Sequence, residues 1–372
     1  MELFYYTSTD TMNKILTNGN IYATNIRYMN DSEEYINGME EIYKLAQNTG
    51  LVKKWMQERN IDKGIMRNIQ KLFTEDNLKE SMQKMEYYSI SFCKKNDLLS
   101  QWAIYAKESG VSIKMNFEDN LYHFLTKGEN DVNQAEWQLS PQEVYYFTLE
   151  SMKGPKSDYN FVAYKILDQL YETNFRDLDD WKKERWRYIS TLVKRYDFYQ
   201  EEEYRLVFDP NESTYAPCVQ YRHDHKILKP YLNIECETGW PIWEIMIGPG
   251  FNQQVVYDSI EHLLNHAKVK NGIKTVGDYV KRINMYLNPY KEDLKMCKAY
   301  KELKNQILQK SWIKTTEFES ATIFLNQKMR EIEHAVSCVE DEYSEKVKEY
   351  FMKRHFTASG IVLTKSNIPY IF

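Results

Sequence analysis

The chain has 372 residues, 42% of them hydrophobic and 15% aromatic, enough for a sizeable core in one large domain or two ordinary ones. A net charge of -5 excludes general coating of nucleic acid, so any such contact has to come from a local patch. The opening MELFYYTSTD lacks the basic start and apolar run of a secretory signal, no stretch reaches membrane-spanning length, and the five cysteines are scattered without a CxxC, so a cytoplasmic protein with reduced thiols and no membrane contact is expected.

In chain order, residues 3–7 read as an apolar, aromatic strand, and residues 11–16 as an amphipathic helix stopped at Asn18-Gly19. Residues 21–25 resume a strand. Asn30-Asp31-Ser32 then caps a helix that carries Tyr35, Met39, Ile42, Tyr43 and Leu45 at helical spacing. Polar helical sequence fills 51–84, YYSISFC at 87–93 is a buried strand, 98–107 is a helix ending before Gly110, and 111–117 alternates as a strand. A strand is expected near 143–147, and helices over roughly 159–196. Strands at 203–208, 227–234 and 243–247 follow, the last closed by Gly248-Pro249-Gly250 before a helix at 255–268. Residues 360–372 are again strand-like. The pattern predicts an α+β core, a split mixed or antiparallel sheet flanked by helices, with the last strand returning to the first sheet.

Between 271 and 357 the texture becomes long, charged and helical. From 281 to 314 there are nine Lys/Arg against three Asp/Glu, whereas 317–349 holds nine acidic against four basic residues. Opposite charge on successive helices predicts an inserted antiparallel hairpin. The expected division is therefore a core of 1–270 plus 358–372 and a helical module at 271–357, the module being the surface for a protein partner or regulator.

The blocks LFYYTS, IYATNIRYMNDSEEY, SFCKKNDLLSQWAIYAKESGVSIKMNF, FYQEEEYRLVF, EIMIGPG and TKSNIPY, in that order, resemble the bacterial domain-of-unknown-function family 2971. No activity comes with that family. A second resemblance, to ADP-ribosyltransferase folds such as the DNA-directed toxin DarT and the poly-ADP-ribose polymerases, rests on Leu3-Phe4-Tyr5-Tyr6-Thr7, then Ile15-Leu16, Gly19 and Ile21-Tyr22. Tyr5 stands where that fold has its nicotinamide-ribose histidine, and a phenol cannot reproduce an imidazole's two nitrogen sites. The strand EYRLVF resembles the late strand of the fold, which begins with the catalytic glutamate. By that resemblance Glu203 would steady the oxocarbenium-like centre formed as nicotinamide leaves, with Glu201 and Glu202 as neighbours one register step away.

The candidate catalytic set is thus Glu203, Tyr5 and Arg205, the last on the same strand face as Glu203 and equally readable as its structural ion-pair partner. Candidate cofactor contacts are Tyr6 and Thr7 as a lip, Asn25, Arg27, Asn30 and Asp31 as a polar cluster in which Arg27 could hold a diphosphate, Ser91, and Trp102 with Tyr105 as an aromatic wall. Each has a bland alternative: strand packing for Tyr5 to Thr7, a helix cap completed by Glu34 for the polar cluster, and core packing for Trp102 and Tyr105. His223 with His225, and His262 with His266, lack further ligands, so no metal is expected. No Walker A, GxGxxG or GxSxG sequence is present.

The first functional expectation is an NAD-consuming ADP-ribosyltransferase-like enzyme, with NAD as substrate and a nucleic-acid or protein acceptor, acting as an intracellular toxin or phage-defence effector. The second is a catalytically inert nucleotide- or ligand-sensing module of a defence system, favoured by the missing histidine. A metal-dependent nuclease using Asp31, Glu34 and Glu203 ranks third. Acceptor, trigger and oligomeric state stay open.

Overall fold

A computed structural model describes residues 1–29, 33–62, 65–84, 86–106, 110–118, 120–126, 135–149, 156–171, 180–224, 227–266, 269, 281–283, 327, 330, 354–357 and 359–368. In chain order its elements are β1 (Glu2–Thr7), α1 (Thr9–Asn18), β2 (Asn20–Asn25), α2 (Glu34–Gln47), α3 (Thr49–Glu58), α4 (Ile65–Leu72), α5 (Glu75–Gln83), β3 (Tyr88–Cys93), α6 (Leu99–Tyr105) and β4 (Val111–Asn116). There follow β5 (Tyr122–Thr126), β6 (Glu136–Leu139), β7 (Gln142–Glu143), β8 (Tyr145–Tyr146), α7 (Lys156–Tyr171), α8 (Asp180–Ser190), β9 (Val193–Lys194) and β10 (Glu203–Phe208). The last are β11 (Gln220–Asp224), β12 (Ile227–Cys236), β13 (Ile242–Ile247), α9 (Gln253–His266), β14 (Arg354–Phe356) and β15 (Val362–Lys365). The chain is α+β with mixed, mostly antiparallel strand pairing. It divides into two compact units, Met1–Asn20 with Lys95–Glu118 and Thr238–Phe372, and Ile21–Lys94 with Asp119–Glu237.

In the first unit the strands run β14-β15-β13-β4-β1. β4 is antiparallel to β1 on one side, with Tyr5 opposite Ile113, and to β13 on the other, with Ile245 opposite the same residue. β15 lies parallel to β13, so the late strand does return to the sheet begun by β1. The alternation of Leu3, Ile113, Ile245 and Leu363, all without exposed surface, makes one apolar layer of this sheet. α1 starts on Ser8, whose hydroxyl accepts from the Thr11 amide, and ends on Gly19 at φ 79, a left-handed geometry that only glycine takes without strain.

In the second unit β3 lies between β2 and β10, β12 and then β5 and β6 continue beyond β2, and β11 forms a hairpin with β12. β8 and β9 make a separate parallel pair. α2 lays Tyr35 and Met39 on Val207, Ile26 and Leu192, while Ile42, Leu45, Trp55, Phe73 and Trp186 close a second core among the helices.

The expected helical run to 196 stops earlier. The Ser190 and Thr191 hydroxyls donate back to the Arg187 and Tyr188 carbonyls, both at 2.6 Å, and the carbonyls of Leu192 and Lys194 accept from the Tyr145 and Phe147 amides. Side chains that compete for backbone bonds, together with an available strand partner, end the helix at Ser190. Strands β5, β6 and β11 are additions at stretches of four or five residues, too short for periodicity to mark. The inserted hairpin expected at 271–357 lies outside the described residues apart from isolated positions and β14.

Candidate functional site

A dense polar arrangement among the described residues of the second unit is built on β10. Glu203 and Arg205, two apart on one strand, emerge on one face, and Ser91 of β3 sits directly opposite Arg205. Arg205 is 1% exposed and Glu203 7%. Arg205 Nε donates to Glu203 Oε1 at 2.7 Å and its NH2 to Oε2 at 2.9 Å, a bidentate fork, while NH1 donates to the Thr191 carbonyl at 2.5 Å. The same guanidinium bonds Oε1 of Glu34, the first residue of α2. Lys194, brought in by β9, completes the group: its Nζ lies 2.6 Å from Glu201 Oε2 and 3.3 Å from both Glu203 Oε2 and Glu34 Oε2.

Two backbone features make the arrangement. Gly38, one turn beyond Glu34, lets α2 come so close to the end of α8 that a Cβ there would lie 2.5 Å from the Ser190 carbonyl oxygen and 2.7 Å from that of Val193. Glu202, at φ 42, turns the chain sharply between the 3-10 segment Tyr196–Glu201 and β10, so the Glu201 and Glu203 carboxylates reach one ammonium. The Glu203 amide donates to the Tyr146 hydroxyl at 2.8 Å.

Burial acts to raise the Glu203 carboxyl, but Arg205 and then Lys194 outweigh it and hold it down at about 2. Burial likewise opposes the charge on Lys194 and Arg205, and the surrounding carboxylates, Glu203 foremost, raise both instead. Burial raises the Tyr146 phenol, with the Glu203 charge adding to it. Glu201 is the exception: desolvation raises its carboxyl in spite of Lys194. It is also the most open member, with a side chain 22% exposed.

A folded-state pKa below the unfolded value stabilises the native state above the unfolded pKa, and that contribution disappears as pH falls through the folded one. The stability advantage of the wild type over Glu203→Gln should therefore be full above pH 4.5 and shrink steadily down to about pH 2. Urea midpoints of the two proteins along that range measure it. A difference that does not change with pH would show that Glu203 is not ionised in the folded protein.

The other sequence-derived candidates fall into separate settings. In the first unit, the Tyr6 hydroxyl donates to the Lys95 carbonyl at 3.2 Å and accepts from the Leu98 amide at 3.1 Å, and its ring meets Trp102 edge-on at 4.8 Å. Trp102 is 1% exposed and Tyr105 43%, so the expected aromatic wall does not form, because the helix turns Trp102 into the core and leaves Tyr105 outside it. Thr7 is buried, and Tyr5 is half-buried in β1. In the second unit, Asn25 accepts from the Arg27 amide at 3.1 Å and caps a 3-10 turn. Arg27 donates to the Met82 carbonyl and lies over the Tyr35 ring at 5.8 Å. Asn30 and Asp31 lie outside the described residues. The Glu34 carboxylate pairs with Arg205 and Lys194, and the capping box expected with Asn30 or Asp31 rests on residues outside the described ones. Lys194, Gly38 and Tyr146 carry no motif that would single them out beforehand; a lysine directly after the apolar Leu192-Val193 is the only hint.

Asp97, at φ 56, ties together two of the quoted blocks within the first unit. Its Oδ1 accepts from Trp102 Nε1 at 2.9 Å and from the Ser366 hydroxyl at 2.5 Å, and its Oδ2 accepts from the Asn367 amide at 3.2 Å. The GPG turn joins the same assembly: the Gly248 amide donates to the Gly110 carbonyl at 2.9 Å, and a Cβ on Gly248 would lie 2.9 Å from the Trp102 ring.

Fold and site together define an α+β protein with a closed, buried charge network on β10 among its described residues. No family model matches the chain, and no curated protein or solved structure is detectably similar to it. No helix among the described residues is long and apolar enough to cross a membrane, and none of their His, Cys, Asp and Glu side chains form a group of three or more suited to a metal ion.

Proposed function

We propose that the chain is a catalytically inert ligand-sensing module, of the kind that serves a defence system, with residues 271–357 as its partner-binding segment. One observation carries the reading: both oxygens of Glu203 are already taken, one by Arg205 Nε and the other by Arg205 NH2 and Lys194, at 7% exposure. A glutamate that steadies a ribosyl cation has to present an oxygen to the sugar, and doing so here would break a buried ion pair. Kinship with the domain-of-unknown-function family 2971 belongs to the same proposal and rests on the motif blocks. The meeting of SFCKKNDLLSQW with TKSNIPY at Asp97 supports treating those two as one structural unit.

A second reading is favoured by Glu201. It keeps the NAD-consuming chemistry but moves the carboxylate to this partly open residue, whose proton is held more tightly than usual. The test is nicotinamide release by the wild type, Glu201→Gln and Glu203→Gln, each supplied with cell extract as a source of acceptor and each followed by a melting curve. The binding reading expects no release from any of them and a loss of melting temperature in Glu203→Gln. Release by the wild type that disappears in a well-folded Glu203→Gln would overturn it, and release lost only in Glu201→Gln would establish the second reading.

A further inference from the structure

The second unit holds a cation that no carboxylate of the described residues pairs with. On β11, Arg222 stands directly across from Lys229 of β12, and Lys229 is engaged by Asp224 at 2.7 Å. Arg222 has no such partner among the described residues. Its NH2 donates to the Thr24 hydroxyl at 3.1 Å, and its Nε is buried without any acceptor. Leaving a buried guanidinium N–H unbonded is costly, so the position calls for an acceptor that the described residues do not supply.

The surroundings fix what that acceptor can be. The guanidinium lies 5.7 Å from the Tyr22 ring centre and 5.9 Å from that of Tyr231, and the two rings are 4.3 Å apart, so its orientation is held by aromatic contact. Tyr231 is in turn anchored by its hydroxyl, which donates to Gln220 at 2.9 Å. Thr24 pairs directly with Ser89 of β3, which places both hydroxyls on one sheet face, and Ser89 is 3% exposed with its hydroxyl unpartnered. A planar cation held against two rings, with an unpartnered Nε–H and next to hydroxyls on one face, suits the donor demand of a phosphoryl group.

We propose that Arg222, with Thr24 and Ser89, binds the phosphoryl group of a small phosphate-bearing metabolite, held in place by Tyr22 and Tyr231. The proposal rests on the ligand-sensing reading and gives that reading its ligand class. It assigns the anion to Arg222 in place of Arg27, whose Nε is likewise unpartnered but whose guanidinium already donates to the Met82 carbonyl and has no hydroxyl partner like Thr24 among the described residues.

The test is titration calorimetry at low salt with inorganic phosphate, pyrophosphate and AMP, against the wild type, Arg222→Gln, Arg222→Lys and Arg27→Gln. At least one probe should bind saturably below about 1 mM. Arg222→Gln should weaken it tenfold or more, Arg222→Lys should recover only part because an ammonium lacks the fork, and Arg27→Gln should match the wild type. Melting curves separate lost binding from lost fold, and Ser89→Ala gives a milder variant if Arg222→Gln is unstable. Binding that survives Arg222→Gln unchanged overturns the assignment while leaving the ligand-sensing reading intact. No saturable binding of any probe overturns the phosphoryl proposal, and the nicotinamide assay then decides the reading by itself.

Discussion

Replacing Arg205 with methionine should destabilise the protein by about 3–5 kcal/mol, the cost of removing one partner from a buried ion pair. The guanidinium makes three contacts with Glu203 and Glu34 and a fourth with the Thr191 carbonyl. Without it, two carboxylates in the core are left to share Lys194, which already serves Glu201. The loss therefore comes from what stays behind more than from the missing pair itself. The triple variant Arg205→Met, Glu203→Met, Glu34→Leu removes the stranded charges as well and should recover most of the stability, since apolar replacement of a whole buried ionic group is often close to neutral. Urea unfolding of wild type, single and triple variants provides the comparison. A single variant within about 1 kcal/mol of wild type, the range of surface pairs, would mean that water reaches the cluster freely.

Gly38→Ala tests the backbone side of the same assembly, and its sign is informative. In open space the substitution would stabilise a helix interior by roughly 0.5–1 kcal/mol. Here the new methyl would lie 2.5 and 2.7 Å from two carbonyl oxygens, and backbone atoms cannot swing away as a flexible side chain can. Overpacking of that kind costs about 1–3 kcal/mol, so a net loss is expected, with α2 pushed outward and Glu34 drawn away from Arg205. Gly50 of α3 is the control, because a Cβ there meets only Asn48 Oδ1 at an ordinary 3.6 Å. Gly50→Ala should be neutral or mildly stabilising in the same thermal unfolding assay. A stabilised Gly38→Ala would show that α2 does not sit this close to the end of α8.

The unequal legibility of these features in the sequence has physical causes. β3 and β13 were readable as runs rich in apolar residues, and in β10 the shared face of Glu203 and Arg205 followed from strand alternation alone. The end of α8 was not, because Ser190 and Thr191 choose between helix and back-bonding according to a partner strand about 45 residues earlier in the chain. Glu34 matched a local capping pattern and was claimed by a guanidinium 171 residues away. Local periodicity carries no information about such a partner. The aromatic wall failed for a similar reason: three-residue spacing placed Trp102 and Tyr105 on neighbouring parts of a helix surface, but the depth of each depends on Tyr6 and Asp97, which spacing does not reveal.

The Asp97 junction also has a consequence for biosynthesis. Ser366 and Asn367 bond to Asp97 across 269 and 270 residues, and β15 enters the sheet that β1 begins. Ribosomes add roughly 5–20 residues per second, so about 20 to 70 s separate the appearance of β1 from that of β15. Within that interval β13, made about 115 residues before β15, waits roughly 6 to 23 s without its parallel neighbour, and Asp97 lacks its Ser366 and Asn367 donors until the last residues of the unit are made. The first unit must therefore close after translation of its last strand, and its nascent form exposes an unpaired strand edge of the kind that chaperones protect.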